Sequence, residues 1–195
     1  LAIEVREDYV GRSAGHFSAT MRCDGKVVAL FTALAQRELD VPVPDGTPGH
    51  PLPGPPTAPE ACPRAVMPFK GQQHGYADLV ENRVADGRFF AGPCTVWFRL
   101  NHPLLDGETP SPYQRVAVAA DSGNGISAAL DFSRYVFVNC DLTINWLRPP
   151  VGEWVALQAR TSLGGHGGGL AESALYDTQG LIGRATQSLA VRRRD

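Results

Sequence analysis

Apolar and polar residues alternate with a period of two over most of the chain, the spacing of strands with one buried face. Ala2–Arg6, Gly15–Met21 and Lys26–Gln36 follow this rule, and Asp24-Gly25 between the second and third is a strong two-residue hairpin signal. Further on, Tyr76–Ala85 and Thr95–Leu100 read as strands. Then the period changes. Tyr113, Val116, Ala117 and Ala120 recur at helical spacing behind Ser111, a suitable N-cap, and Pro112, whose missing N–H costs nothing at the first helical position. Gly123-Asn124-Gly125 is expected to break that helix. Long strands follow at Tyr135–Leu147 and Glu153–Leu163, then a hairpin of Gly169–Tyr176 and Leu181–Arg193 around Asp177-Thr178-Gln179-Gly180. Strands, one helix, then strands only predict an α+β layer pair, an antiparallel sheet wrapped on a single helix.

Prolines divide the chain. Nine of the 16 fall between Pro42 and Pro63, a segment unable to donate a regular ladder of hydrogen bonds and therefore extended. The predicted organisation is residues 1–40 as a small sheet, 41–70 as a semi-rigid linker, and 71–195 as a complete unit. Three strands without a helix leave one sheet face bare, so the first unit reads as incomplete alone. The chain opens on Leu1 with no charged n-region or cleavage site, which is not a signal peptide. The expectation is that upstream residues exist in a longer protein or that another chain covers this sheet.

Charge narrows the partners. With 18 Lys+Arg against 20 Asp+Glu, a net charge of −2 lacks the cationic excess of a nucleic-acid or anionic-membrane binder. No apolar run is long enough to span a bilayer. Cysteines at 23, 62, 94 and 140 form no C-x-x-C, and the plain reading is reduced thiols in the cytoplasm. The five histidines lack zinc-ligand spacing, so no metal site is expected.

Two strands carry polar residues on apolar faces. In the last, Gln187 shares a face with Ala185, Leu189 and Val191; in the strand before the hairpin, Thr161 shares one with Val155, Leu157, Ala159 and Leu163. A buried polar group is costly unless its bonds are made, so the pair suggests a polar pocket. The plainer reading of each is a side chain bonded to neighbouring backbone. In Tyr135–Leu147 the apolar face is Val136, Val138, Cys140, Leu142, Ile144 and Trp146, and Asp141 lies on the polar face with Asn139, Thr143 and Asn145.

The runs VNCDLTINWLRPPVGEW, ARTSLGGHGGGLAESALYDTQG and RATQSLAVR closely resemble the C-terminal half of the TesB-like acyl-CoA thioesterases. The resemblance extends from about Gly75 to Arg192. It implies a double hotdog, two α+β units each with a sheet around one helix, of which the first is truncated here. It also implies a catalytic set of Asp141, Thr161 and Gln187 in which the carboxylate activates a water and the other two hold it. Asp121, Asn124, Gly164 and Gly165 would bind substrate, although Asp121 reads equally well as a carboxylate bonding local backbone. The substrate implied is an acyl-CoA, with no separate cofactor, no nucleic-acid or membrane partner, a homo-oligomeric state and a role in fatty-acid metabolism. Leu142 stands where the family carries a histidine after its Asp, and the glycine loop 164–169 is longer than the usual turn. The alternative is therefore a non-catalytic acyl-thioester binder of the same fold. A dehydratase is disfavoured, since the helix offers no histidine partnered with an acid. His166-Gly167-Gly168-Gly169 looks like a lipase oxyanion segment, but no G-x-S-x-G accompanies it.

Overall fold

The structure is a computed structural model and describes residues 1–65 and 75–194. The chain divides into two compact units, Leu1–His50 and Pro51–Asp195. The first is an antiparallel sheet of β1 (Ala2–Val10), β2 (Ala14–Cys23) and β3 (Lys26–Gln36) in that spatial order. Asp24 and Gly25 both take positive φ, 48° and 78°, the mirror-image turn that the Asp-Gly pair predicts. Register places Ile3, Val5, Phe17, Ala19, Met21 and Phe31 on one face, and Ile3, Val5 and Phe31 are exposed there.

In the second unit β4 (Arg64–Ala65), β5 (Val80–Gly87), β6 (Cys94–Leu100), β7 (Tyr135–Asn139), β8 (Thr143–Trp146), β9 (Val155–Leu163), β10 (Gly168–Asp177) and β11 (Gly180–Arg193) form one antiparallel sheet. Its order is β4-β5-β6-β9-β10-β11-β7, with β8 also on β11. A one-turn helix, α1 (Tyr76–Leu79), stands where the sequence pattern predicts the start of a strand; Gly75 N–H bonds the Asp78 carboxylate and closes the turn. The sheet curls around α2 (Pro112–Ala120). Ser111 Oγ accepts from Gln114 N–H at 3.2 Å and Gln114 Oε1 accepts from Ser111 N–H at 2.7 Å, a reciprocal cap that fixes where the helix begins. Val116, Ala119 and Ala120 bury the inner side of α2 against Val96, Leu157, Leu175 and Ile182, and two alanines on that side let helix and sheet approach closely. The Gly123-Asn124-Gly125 stretch does not end the helical path. After the C-cap at Asp121 it winds a further turn, α3 (Gly123–Ile126), with Ile126 in the same core.

The other face of this sheet carries a second apolar cluster of Cys62, Trp97, Trp154, Ala156, Tyr176 and Leu181. The proline-rich chain covers it. Trp97 Nε1 donates to Thr57 O at 2.8 Å, Leu181 N–H donates to Pro53 O at 3.2 Å, and Pro59 is buried. The part of the proline-rich segment from Pro51 to Ala65 is thus strapped onto the second unit, while residues 66–70 of the predicted linker lie outside the described residues. Arg83 and Arg99 stack on the Trp154 ring at 5.3 and 4.7 Å, and both bond the buried Glu81 carboxylate. No helix among the described residues is long and apolar enough to cross a membrane.

The predicted strand Tyr135–Leu147 is in fact two. Asn139 pairs with Leu189 and Thr143 with Thr186, so three residues, 140–142, oppose two, 187–188. This one-residue bulge reverses which positions face inward. Before it the odd-numbered Phe137 is buried; after it the even-numbered Leu142 and Ile144 pack on the core. Asn139, opposite the buried Leu189, therefore turns toward the helix end, where it stays exposed but bonds Asp121.

Candidate active site

The inward-facing residues of β11 converge on the junction of α2 and α3. Gln187 is among the largest fully buried side chains, and all of its polar atoms are bonded. Its Oε1 accepts from Asn124 N–H at 3.0 Å; because a backbone N–H can only donate, the amide orientation is fixed. Nε2 must then face Asp121, where it donates to the backbone O at 3.1 Å and to Oδ1 at 3.3 Å. Asn139 Nδ2 donates to the same Oδ1 at 2.8 Å, so two amides clasp one oxygen of one carboxylate. Asp121 is exposed, and its Oδ2 bonds no described residue. A carboxylate held on one oxygen and open on the other is arranged to orient and deprotonate a water.

Glycine makes this approach possible. A Cβ at Gly123 would stand 3.0 Å from Gln187 Oε1 and 2.9 Å from Ser173 Oγ, so only a bare backbone lets the amide reach the helix. Tyr76 closes the same end of α2: its hydroxyl donates to Val118 O at 3.2 Å and lies 2.8 Å from Ser122 Oγ. Burial pushes the phenol pKa up, and the neighbouring Asp121 charge adds to the effect, against the Ser122 hydrogen bond.

Thr161 reaches the same junction from β9. Ser127 Oγ donates to Gly123 O at 2.8 Å, which uses its single proton, so Thr161 Oγ1–H is the donor in their 2.7 Å contact. Thr161 fastens the sheet to α3. Asp141 is elsewhere. Its Oδ1 accepts from Ser188 N–H at 2.6 Å and its Oδ2 from Ser188 Oγ at 3.0 Å. Ser188 is exposed and follows Gln187, so the two side chains point to opposite faces of β11 and Asp141 belongs to the outer one. It stitches the bulge, together with Cys140 N–H donating to Ser188 O at 2.8 Å. Among the described residues Asp141, Thr161 and Gln187 make no hydrogen bond to one another. The carboxylate that meets Gln187 is Asp121, and Asn139 is the partner that the sequence pattern hid.

Gly164 and Gly165 lie apart from this cluster. With Leu130, Leu163, Arg192 and Arg193 they line a cleft of about 320 Å³ at the ends of β9 and β11. Gly164 N–H donates to Gly168 O and Val191 N–H to Gly167 O, both at 2.8 Å, which holds the glycine loop against the last strand.

A curled antiparallel sheet closed around one helix, with polar groups gathered at the helix end, defines a hotdog-fold protein. The chain belongs to a family of that class: the model of the acyl-CoA thioesterase C-terminal domain matches residues 59–191, more than half of the sequence. Solved structures similar in fold include a hotdog-fold protein of unknown function from Alicyclobacillus acidocaldarius, with 18% identity, a TM-score of 0.69, and coverage of 99% of this chain and 73% of that one. Acyl-CoA thioesterase II TesB2 of Mycobacterium marinum aligns at 17% identity with a TM-score of 0.64, over 99% of this chain and 74% of that one. A TesB protein of Mycobacterium avium subsp. paratuberculosis gives 13% identity and a TM-score of 0.65, over 97% and 71%. At these identities the likeness is one of fold. Among curated proteins no significant match to the sequence is found.

Proposed function

We propose that the chain hydrolyses acyl-CoA thioesters and that Asp121 is the general base. The observation that carries this reading is the Asp121 carboxylate, clasped through Oδ1 by Gln187 and Asn139 and open at Oδ2. A water bonded to Oδ2 attacks the thioester carbonyl carbon and gives its proton to Asp121. The C–S bond then breaks, and that proton passes to the departing sulfur. The products are a carboxylic acid and free CoA, which needs no cofactor. Gln187 and Asn139 hold the carboxylate at a fixed angle, and Thr161 with Ser127 holds the helix that presents it. Base catalysis of this kind contributes about 10²- to 10⁴-fold. The same reading takes residues 1–40 as closing strands of an N-terminal hotdog, in a cytoplasmic homo-oligomer.

Thiol release from acyl-CoAs of graded length tests it. Asp121→Asn is expected to lower kcat about 100-fold, and Asp141→Asn to leave kcat within about threefold while lowering the melting temperature. Equal activity of Asp121→Asn and wild type overturns the assignment. A non-catalytic binder is the second reading, favoured by Leu142, which packs on the core where the resembling family carries a histidine. Calorimetric binding of acyl-CoA without any thiol release selects it.

A further inference from the structure

The turn that carries Asp121 is held by more than the two amides. In a regular α-helix the carbonyl of Val118 accepts from the N–H four residues on, that of Ser122. Here Ser122 N–H donates instead to Ala119 O at 2.9 Å, three residues back, so the last turn of α2 is tightened and Val118 O is left for another donor. Tyr76 supplies that donor from α1, its hydroxyl donating to Val118 O at 3.2 Å. One phenol has one proton, so in its 2.8 Å contact with Ser122 Oγ the serine donates and Tyr76 Oη accepts. A single oxygen thereby bridges the backbone three residues before Asp121 and the side chain one residue after it.

The consequence is angular. Successive side chains turn by about 120° in a 3₁₀ turn and about 100° in an α turn, so relaxing this turn swings Asp121 by roughly 20° for each residue that reverts. Its Oδ1 accepts from Asn139 Nδ2 at 2.8 Å and from Gln187 Nε2 at 3.3 Å, the latter already long for a hydrogen bond. Both donors stand on strands, β7 and β11, which do not follow a rotation of the helix end. Without the Tyr76 hydroxyl, Val118 O is free to recapture Ser122 N–H, and the carboxylate turns out of its clasp. Burial, and after it the nearby Asp121 charge, push the phenol pKa up, so the proton given to Val118 O is present throughout the neutral range.

We propose that Tyr76 is a positioning residue for the base: through Val118 O and Ser122 Oγ it fixes the tightened turn that presents Asp121 to Asn139 and Gln187. It acts through that turn and not by contact with substrate. The inference rests on the hydrolytic reading above and gives α1, which that reading leaves without a part, a role in it.

Tyr76→Phe in the full chain keeps the ring and removes the oxygen, and thiol-release kinetics, thermal melts and a crystal structure of the variant test the proposal. The expected result is a fall in kcat of about tenfold with KM within about twofold, and a drop in Tm of only about 2–4 °C, the usual effect of one lost hydrogen bond. In the Asp121→Asn background the same change is expected to cost nothing further, since a residue that acts through the base has no effect once the base is gone. Ser122→Ala is expected to lower kcat about threefold and Ser122→Thr, which keeps a hydroxyl, to retain it; that pair decides should Tyr76→Phe not fold. Wild-type kcat in Tyr76→Phe, a raised KM with kcat unchanged, or an undiminished loss in the Asp121→Asn background overturns the proposal. The variant's structure separates it from the reading beneath it. Loss of the Asn139 or Gln187 bond to Asp121 in Tyr76→Phe, in a protein whose wild type releases no thiol, upholds the positioning role and removes the hydrolytic reading. Asp121-dependent hydrolysis with the carboxylate unmoved in Tyr76→Phe does the reverse.

Discussion

Gly123→Ala is the sharpest single perturbation of the proposed site, because it adds one carbon and touches no catalytic atom. The new Cβ would stand 2.9 Å from Ser173 Oγ and 3.0 Å from Gln187 Oε1, closer than such contacts tolerate. Ser173 is short, buried and on a central strand, so it yields little. The amide of Gln187 must move, and in moving it releases Asn124 N–H and tilts away from Asp121. Overpacking of this kind costs about 1–3 kcal/mol. Alanine recovers about 0.5–1 kcal/mol of helix propensity, and no positive φ is involved. The net expectation is about 0.5–2 kcal/mol of destabilisation, a fall in Tm of about 2–6 °C for a chain of this size. Activity is expected to fall further, by about 10- to 100-fold in kcat, since a misplacement of about 1 Å at a catalytic group costs on that order. The control is two residues away. A Cβ at Gly125 meets nothing within 4 Å, so Gly125→Ala should leave kcat unchanged and Tm equal or slightly higher. Thermal melts and thiol-release kinetics on both variants suffice. If Gly123→Ala matches Gly125→Ala in both assays, Gln187 does not position Asp121.

Acid stability should depend on Asp177. Burial raises its pKa, but hydrogen bonds from Arg148, Val151 N–H and Gln179 N–H, with the Arg148 charge, outweigh burial and hold it below the ordinary 3.8. A depressed folded-state pKa contributes stability above about pH 4 that is lost as pH falls through the folded value. Asp177→Asn should therefore cost about 3 kcal/mol in chemical denaturation at pH 7, by leaving Arg148 without its counter-charge, and the gap to wild type should close at acid pH. A pH-independent gap would refute the linkage. Thiol reactivity should split two and two: Cys23 and Cys140 are exposed, whereas burial raises the Cys62 pKa and pushes Cys94 up to about 11. A disulfide reagent at pH 8 should titrate two thiols quickly and the others only on unfolding; rapid reaction of all four would contradict the packing around β6.

What the sequence disclosed and what it hid follow from how local each signal is. Ser111-Pro112 placed the helix start correctly because a cap is a matter of three or four residues. Gln187 stood out because β11 runs unbroken through it, so alternation named its face without knowledge of any partner. The facing of Asn139 was misread for the opposite reason. Alternation assumes a continuous strand, and the extra residue between 139 and 143 turns Asn139 inward while Asp141 bonds Ser188 on the outer face. No pattern within residues 135–147 marks that bulge; it exists only against the register of β11. Asp121 was visible as a polar residue near the helix end, but its importance depends on two amides 18 and 66 residues further along the chain.

The proline-rich strap changes where this protein can be cut. A shortened chain starting at Gly71, the boundary that composition suggests, would strip Thr57 from the Trp97 indole and Pro53 from Leu181, and expose Trp154 and Tyr176 to water. One starting at Pro51 retains both bonds and the buried Pro59. For expression, crystallisation or grafting, the transferable module therefore includes its prolines, which serve as the lid of its second core.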